Sequence, residues 1–96
     1  MRDEHAKYMV NGKAFVWFLD NHHGDGRVAI WCKAPPGMQA MLVESDPSRF
    51  FVPPYVGHKG WVGLRLDVGV TDWEQVRDVV TESYRMTAPK KLLGGF

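Results

Sequence analysis

Phe50–Leu66 reads FFVPPYVGHKGWVGLRL, and its two halves obey different rules. Phe50–Val52 is a short extended piece that Pro53–Pro54 must interrupt, because proline has no N–H to give to a ladder. Val-Pro-Pro-Tyr is therefore a rigid turn that orients Tyr55 and sends the chain on into a strand. From Trp61 to Asp67 the residues alternate. Val62, Leu64 and Leu66 point one way, and Trp61, Gly63 and Arg65 point the other. A strand with one apolar face needs a layer to cover it, and the helices elsewhere in the chain are the available cover.

Working outward, Thr71-Asp72-Trp73-Glu74 has the form of a capping box, with Thr71 as the N-cap. It opens a helix predicted over 72–88. Trp73, Val76, Val79, Val80 and Tyr84 form its apolar stripe, and Trp73 and Tyr84 are expected as core anchors. Acids lead and bases trail along this segment, as the helix dipole favours, and Pro89 stops it. Upstream, Lys7–Val10 and Lys13–Asp20 flank Asn11–Gly12, the strongest short hairpin signal. Arg27–Lys33 is a third strand, with Val28, Ile30 and Cys32 on one face and Arg27, Ala29, Trp31 and Lys33 on the other. Ala34-Pro-Pro-Gly37 ends it. Met38–Glu44 is a short helix with Met38, Met41 and Leu42 inward. The order β-β-β-α-β-(β)-α gives an α+β, two-layer domain. Its antiparallel sheet carries helices on one face and is partly open to solvent on the other.

The chain's 96 residues allow one domain, expected over 1–96. Its 45% hydrophobic content, with four Trp, three Tyr and five Phe, is enough for a core. Twelve Lys and Arg against eleven Asp and Glu give a net charge of +1, which argues against a strongly basic nucleic-acid binder and leaves room for a local basic patch. The single cysteine excludes an internal disulfide and a cysteine zinc cluster, and it fits a reducing cytoplasm. No apolar run reaches bilayer length, and the N-terminus lacks a signal-peptide core. The expectation is a cytoplasmic protein with no membrane partner.

Four groups of residues have candidate chemistry. His22-His23-Gly24-Asp25 is the most enzyme-like string, but adjacent histidines diverge on an extended chain, and a polar hairpin loop with Gly24 and Gly26 supplying unusual φ is the favoured reading over a metal site. Cys32 shares an apolar face with Val28 and Ile30 and reads as a buried thiol. Arg27, Trp31 and Lys33 lie near Trp61 and Arg65 on the outer sheet face. Cations beside rings there would stack on bases and neutralise phosphates, or form a protein-binding hot spot. The competing reading is that Trp31 and Trp61 are covered by a loop or by the N-terminal segment. His58 and Lys59, with Arg85, Lys90 and Lys91, form a second basic cluster. No phosphate-loop, dinucleotide or hydrolase string occurs, so no catalytic residue, metal or cofactor is assigned and a non-enzyme is expected.

FFVPPYVGHKGWVGLRLD, with DWEQV…ESYRMTAPKKL downstream and FVWFLDNHHGDGRVAIWCKAPPG upstream, closely resembles the MmcQ/YjbR family of CyaY-like, double-wing DNA-binding-type domains, over about residues 8–93. The resemblance implies a curved antiparallel sheet in a two-layer α/β domain, and it marks Pro54, Tyr55, Lys59, Trp61, Tyr84, Pro89 and Lys90 as positions to watch. It carries no catalytic residue or cofactor. Similar proteins usually begin with a further helix, whereas Met1 leads almost directly into the first strand. An absent helix would expose apolar surface that self-association would cover. Three functions follow from the residues and the resemblance. They are a DNA-binding or DNA-associated regulatory domain, a protein-interaction module or homodimer, and, on the strength of His22–Asp25 alone, a metal protein or enzyme.

Overall fold

The computed structural model describes residues 4–21, Gly24 and residues 26–89. Its elements are β1 (Glu4–Val10), β2 (Lys13–Asp20), β3 (Val28–Cys32), α1 (Met38–Ser45), β4 (Phe50–Phe51), β5 (Val62–Arg65) and α2 (Trp73–Thr87). A single 3-10 turn, Gly57–Lys59, precedes β5. The five strands form one curved antiparallel sheet in the order β1-β2-β3-β5-β4. Both helices pack on one face, so the α+β, two-layer expectation holds.

The first hairpin forms as the sequence predicts. Asn11 and Gly12 take φ of 51° and 76°, the pair of left-handed residues that a type I′ turn requires. Along β1–β2, Tyr8 pairs with Val16 and Met9 with Ala14, which leaves Phe15 without an opposite number. This bulge breaks the alternation, so Phe15 and Val16 both turn to the helix side. There Phe15 meets Tyr84 of α2 edge-to-face, with ring centroids 5.6 Å apart.

The helix-side core is built from Val16, Ile30, Cys32, Phe50, Val62, Leu64 and Val79, flanked by Leu42, Val43, Leu66, Val76 and Val80. The faces assigned to β3 and β5 from alternation are those observed. Ser83, also fully buried, sets its hydroxyl between the Lys33 and Val79 carbonyls. It thereby ties α2 to the end of β3.

Four details differ from the sequence reading. The α2 N-cap is Asp72, whose Oδ1 accepts from the Glu74 and Gln75 N–H groups. Thr71 instead spends its hydroxyl on the Leu66 carbonyl at 3.0 Å. Trp73 is 66% exposed, because it is the first helical residue and the inward stripe begins a turn later at Val76. In α1 the covered arc runs from Met38 through Leu42 to Val43. Met41 falls on the far side of Met38 and is exposed.

The fourth correction bears on function. The outer sheet face is open only toward β1, where His5 and Lys7 are exposed, and it is covered around the two tryptophans expected to be exposed. Trp31 and Trp61 are 1% and 6% exposed, packed with Leu19 under Trp17, Phe51 and Val56. A Cβ on Gly63 would run into the far end of the Phe51 ring, so the glycine is what makes room for that ring. Of the expected cover, the loop contributes only Val56; Trp17 and Phe51 belong to strands β2 and β4.

Candidate basic site at the end of the sheet

The expected site residues separate into two groups at opposite ends of the sheet. Arg27 and Lys33 share a face of the β3 segment but stand about 20 Å apart along it. Arg65, opposite Ala29, belongs to the Arg27 end. Its guanidinium grips Asp67 with two bonds of 3.0 and 3.2 Å, and Asp67 also accepts from the Val28 N–H. Arg27 lies over the Phe51 ring, 4.4 Å from its centroid. Arg27 thus caps the Phe51 ring, while Arg65 holds Asp67, which in turn bonds the Val28 N–H of the neighbouring strand. The two arginines do not form a cationic face with Trp31 and Trp61.

The other end is a genuine convergence. Lys33, Ala34, Lys59, Trp61 and Met86 line one pocket of about 260 Å³. These residues come from the end of β3, the 3-10 turn, the start of β5 and the last turn of α2. No carboxylate is among the described residues that line it. Two lysines 26 positions apart in sequence thus present cationic heads around an apolar floor.

Local structure fixes both lysines by their backbones. The Lys33 N–H donates to the Phe15 carbonyl at 3.1 Å, and its own carbonyl accepts from Ser83. Lys59 N–H donates to Val56 O, and Gly60 N–H to Gly57 O. Gly60 sits at φ 90°, where only glycine is unstrained. Gly57 is buried against Val52 with no room for a side chain. Gln39 then latches the loop to α1. Its Nε2 donates to the Gly57 and Trp61 carbonyls at 2.8 and 2.6 Å. A side-chain amide carries two hydrogens, and both are used.

The C-terminal end of α2 would carry partial negative charge toward this pocket. Thr87 Oγ1 donates to the Ser83 carbonyl, and Ala88 N–H to Tyr84 O, which blunts that field. His58 is exposed on the same 3-10 turn as Lys59. Arg85, in the last turn of α2, pairs weakly with Glu82 at 3.6 Å. Lys90 and Lys91 follow this end in sequence but lie outside the described residues, as do His22, His23 and Asp25.

Cys32 is fully buried, and burial pushes its thiol up to about 12, with Ser83 beside it opposing the shift. It is a core side chain. Among the described residues no three His, Cys, Asp or Glu side chains gather as metal ligands, and no helix is long and apolar enough to cross a membrane.

Sequence reasoning missed Gln39 and Met86. A helical glutamine carries no positional signal, and Met86 falls outside the apolar stripe of α2. It also missed Trp17, which the two-sided apolar run of β2 concealed. No curated protein and no solved structure matches the chain. The model of the YjbR family matches residues 2–86, nearly the whole length, and the chain belongs to the MmcQ/YjbR family.

Proposed function

We propose that the protein is a non-catalytic binding domain whose basic end engages nucleic-acid phosphates. One observation carries this reading: the fold brings Lys33 and Lys59 to one pocket with no carboxylate among the described residues that line it. The sequence sets Lys90 and Lys91 just past the same helix end. The sealed Cys32 supports a role without nucleophilic chemistry. Burial of Trp31 and Trp61 removes those two rings as stacking surfaces, so phosphate contact is the main term. With a net charge of only +1, binding is local and steeply weakened by salt. Fluorescence anisotropy with labelled oligonucleotides tests this. Saturable binding at low salt is expected, with the log–log salt slope about one unit shallower for each of Lys33→Gln and Lys59→Gln. No saturable binding of any oligonucleotide at low salt overturns it.

A second reading, protein interaction, has its own observation. Tyr8, Phe15, Val16, Ile30, Leu66, Trp73, Val76 and Val80 line a groove of about 270 Å³ between α2 and the β1–β2 hairpin. Tyr8 and Trp73 at its rim are 54% and 66% exposed, and both are residue types enriched in binding hot spots. Light scattering across concentration separates a homodimer from a monomer that awaits another protein.

A further inference from the structure

We propose that the basic pocket is a site for a phosphate monoester, the terminal phosphate of a nucleic-acid strand, and not for the diester phosphates along its length. The inference rests on reading Lys33 and Lys59 as phosphate contacts, and it names the kind of phosphate. The walls of the pocket come from four places in the fold. Lys33 and Ala34 follow β3, Lys59 ends the 3-10 turn, Trp61 immediately precedes β5, and Met86 is in the last turn of α2. A recess enclosed in this way receives a group that protrudes. A diester continues into a sugar on both sides and needs a trench open at two ends. Charge points the same way. Both lysines bond to described residues through their backbones alone, which leaves two ammonium groups at a recess with no carboxylate among its described lining residues. A monoester carries close to two negative charges at neutral pH, whereas each phosphate along a strand carries one.

The elements that lead away from the pocket do not serve a run of backbone phosphates. Along α2, Glu82 stands one turn before Met86. It lines a groove between α1 and α2 together with Asp78, Glu74 and Asp72, over Met38 and Leu42. Arg85, the cation between the pocket and that groove, is turned to Glu82 at 3.6 Å. A strand continuing along α2 would therefore pass from two lysines onto four carboxylates. Along β3 and β5 the arginines are those of the far end, and Asp67 and Phe51 already engage them. A backbone laid through the site gains two contacts and then meets repulsion or cations in use. A chain end makes the same two contacts and leaves, with its remaining phosphates in solvent. Like charges brought together at an interface act against the wrong ligand as strongly as opposite charges favour the right one.

The experiment titrates the protein into oligothymidylates labelled at one end and carrying either a phosphate or a hydroxyl at the other, for both polarities, at low salt. The phosphorylated strand of one polarity or both is expected to bind about tenfold more tightly than its hydroxyl counterpart. Lys33→Gln and Lys59→Gln are each expected to erase that preference. Arg77→Gln, exposed on the middle of α2, is expected to keep it. Ribose 5-phosphate is expected to displace the phosphorylated strand at concentrations where dimethyl phosphate, a diester, does not. Equal affinity for phosphorylated and hydroxyl strands of both polarities overturns the inference. If the two lysine variants still weaken binding in that case, the broader phosphate reading stands without it. Ribose 5-phosphate binding with no binding of any strand supports the monoester site, makes a small sugar phosphate its source, and removes the nucleic-acid reading. No binding of strands or of ribose 5-phosphate overturns both.

Discussion

The indoles of Trp17 and Trp31 stack across neighbouring strands, with ring centroids 6.1 Å apart and planes 18° from parallel. Trp61 meets Trp17 edge-on at 6.2 Å. This aromatic layer covers the middle of the sheet face opposite the helices, and it separates the four tryptophans of the chain into three that pack together and one, Trp73, that does not. Trp31→Ala is expected to cost about 3–5 kcal/mol, the range for removing a large buried ring. Trp73→Ala is expected to cost less than about 1 kcal/mol, as an exposed substitution. Urea titrations of the two variants check the pair, and a reversed order would place the core on the wrong side of α2.

Asp72 holds two otherwise orphaned N–H groups at the start of α2. Asp72→Ala is expected to lose about 0.5–2 kcal/mol, and Asp72→Asn only a small part of that, since asparagine caps nearly as well. The comparison is made by thermal melting at neutral pH. Equal losses in the two variants would show that the carboxylate charge, not the cap geometry, matters.

Hydrogen bonds from the Arg65 guanidinium hold the Asp67 carboxyl below its ordinary range, aided by the Val28 N–H. A group whose folded pKa is depressed contributes stability above its unfolded pKa, which is about 3.9 for aspartate. That contribution disappears as pH falls through the lower folded value. Wild-type stability is therefore expected to drop below about pH 4. Asp67→Asn is expected to be less stable at neutral pH and to show a flatter acid limb in denaturant titrations across that range.

Cys32 has the opposite sign. Its folded pKa is raised, so the unfolded chain ionises first and stability falls as pH climbs past the ordinary thiol value of about 8.5. At mildly alkaline pH a chromogenic thiol reagent is expected to leave the native protein unlabelled and to modify one thiol per chain once denaturant is added. Fast labelling of the native protein would show an open thiol.

The legible parts of the fold were those written in local code. Asn11–Gly12 demands positive φ and gives the hairpin. Alternation in β3 and β5 assigns the faces, and Pro89 bounds α2. Errors fell where two local solutions compete. Thr71 and Asp72 can both cap, and the partner that decides between them, Leu66 O, is distant in sequence from neither but not visible in it. Met41 and Val43 flank the same arc, and only the tilt of α1 chooses. For the site, the lysines were legible as types but not as a group. Arg27, Lys33 and Arg65 look equivalent on a strand face until Asp67 and Phe51 engage the two arginines. Trp31 and Trp61 looked exposed because alternation names a face without saying what lies over it. The cover comes from Trp17, Phe51 and Val56, and the last of these sits beyond a double proline.

The two ends of the sheet are unequal. On one side β1 offers seven residues of backbone beyond its partner β2, and on the other β4 offers two. Lys7, exposed near the middle of β1, is the kind of charge that discourages uninvited pairing along an edge. If two copies do join through β1, the geometry limits them. A body with one usable edge can take a single neighbour, by a twofold operation that consumes both edges. Such pairing closes at two and cannot grow into a fibre.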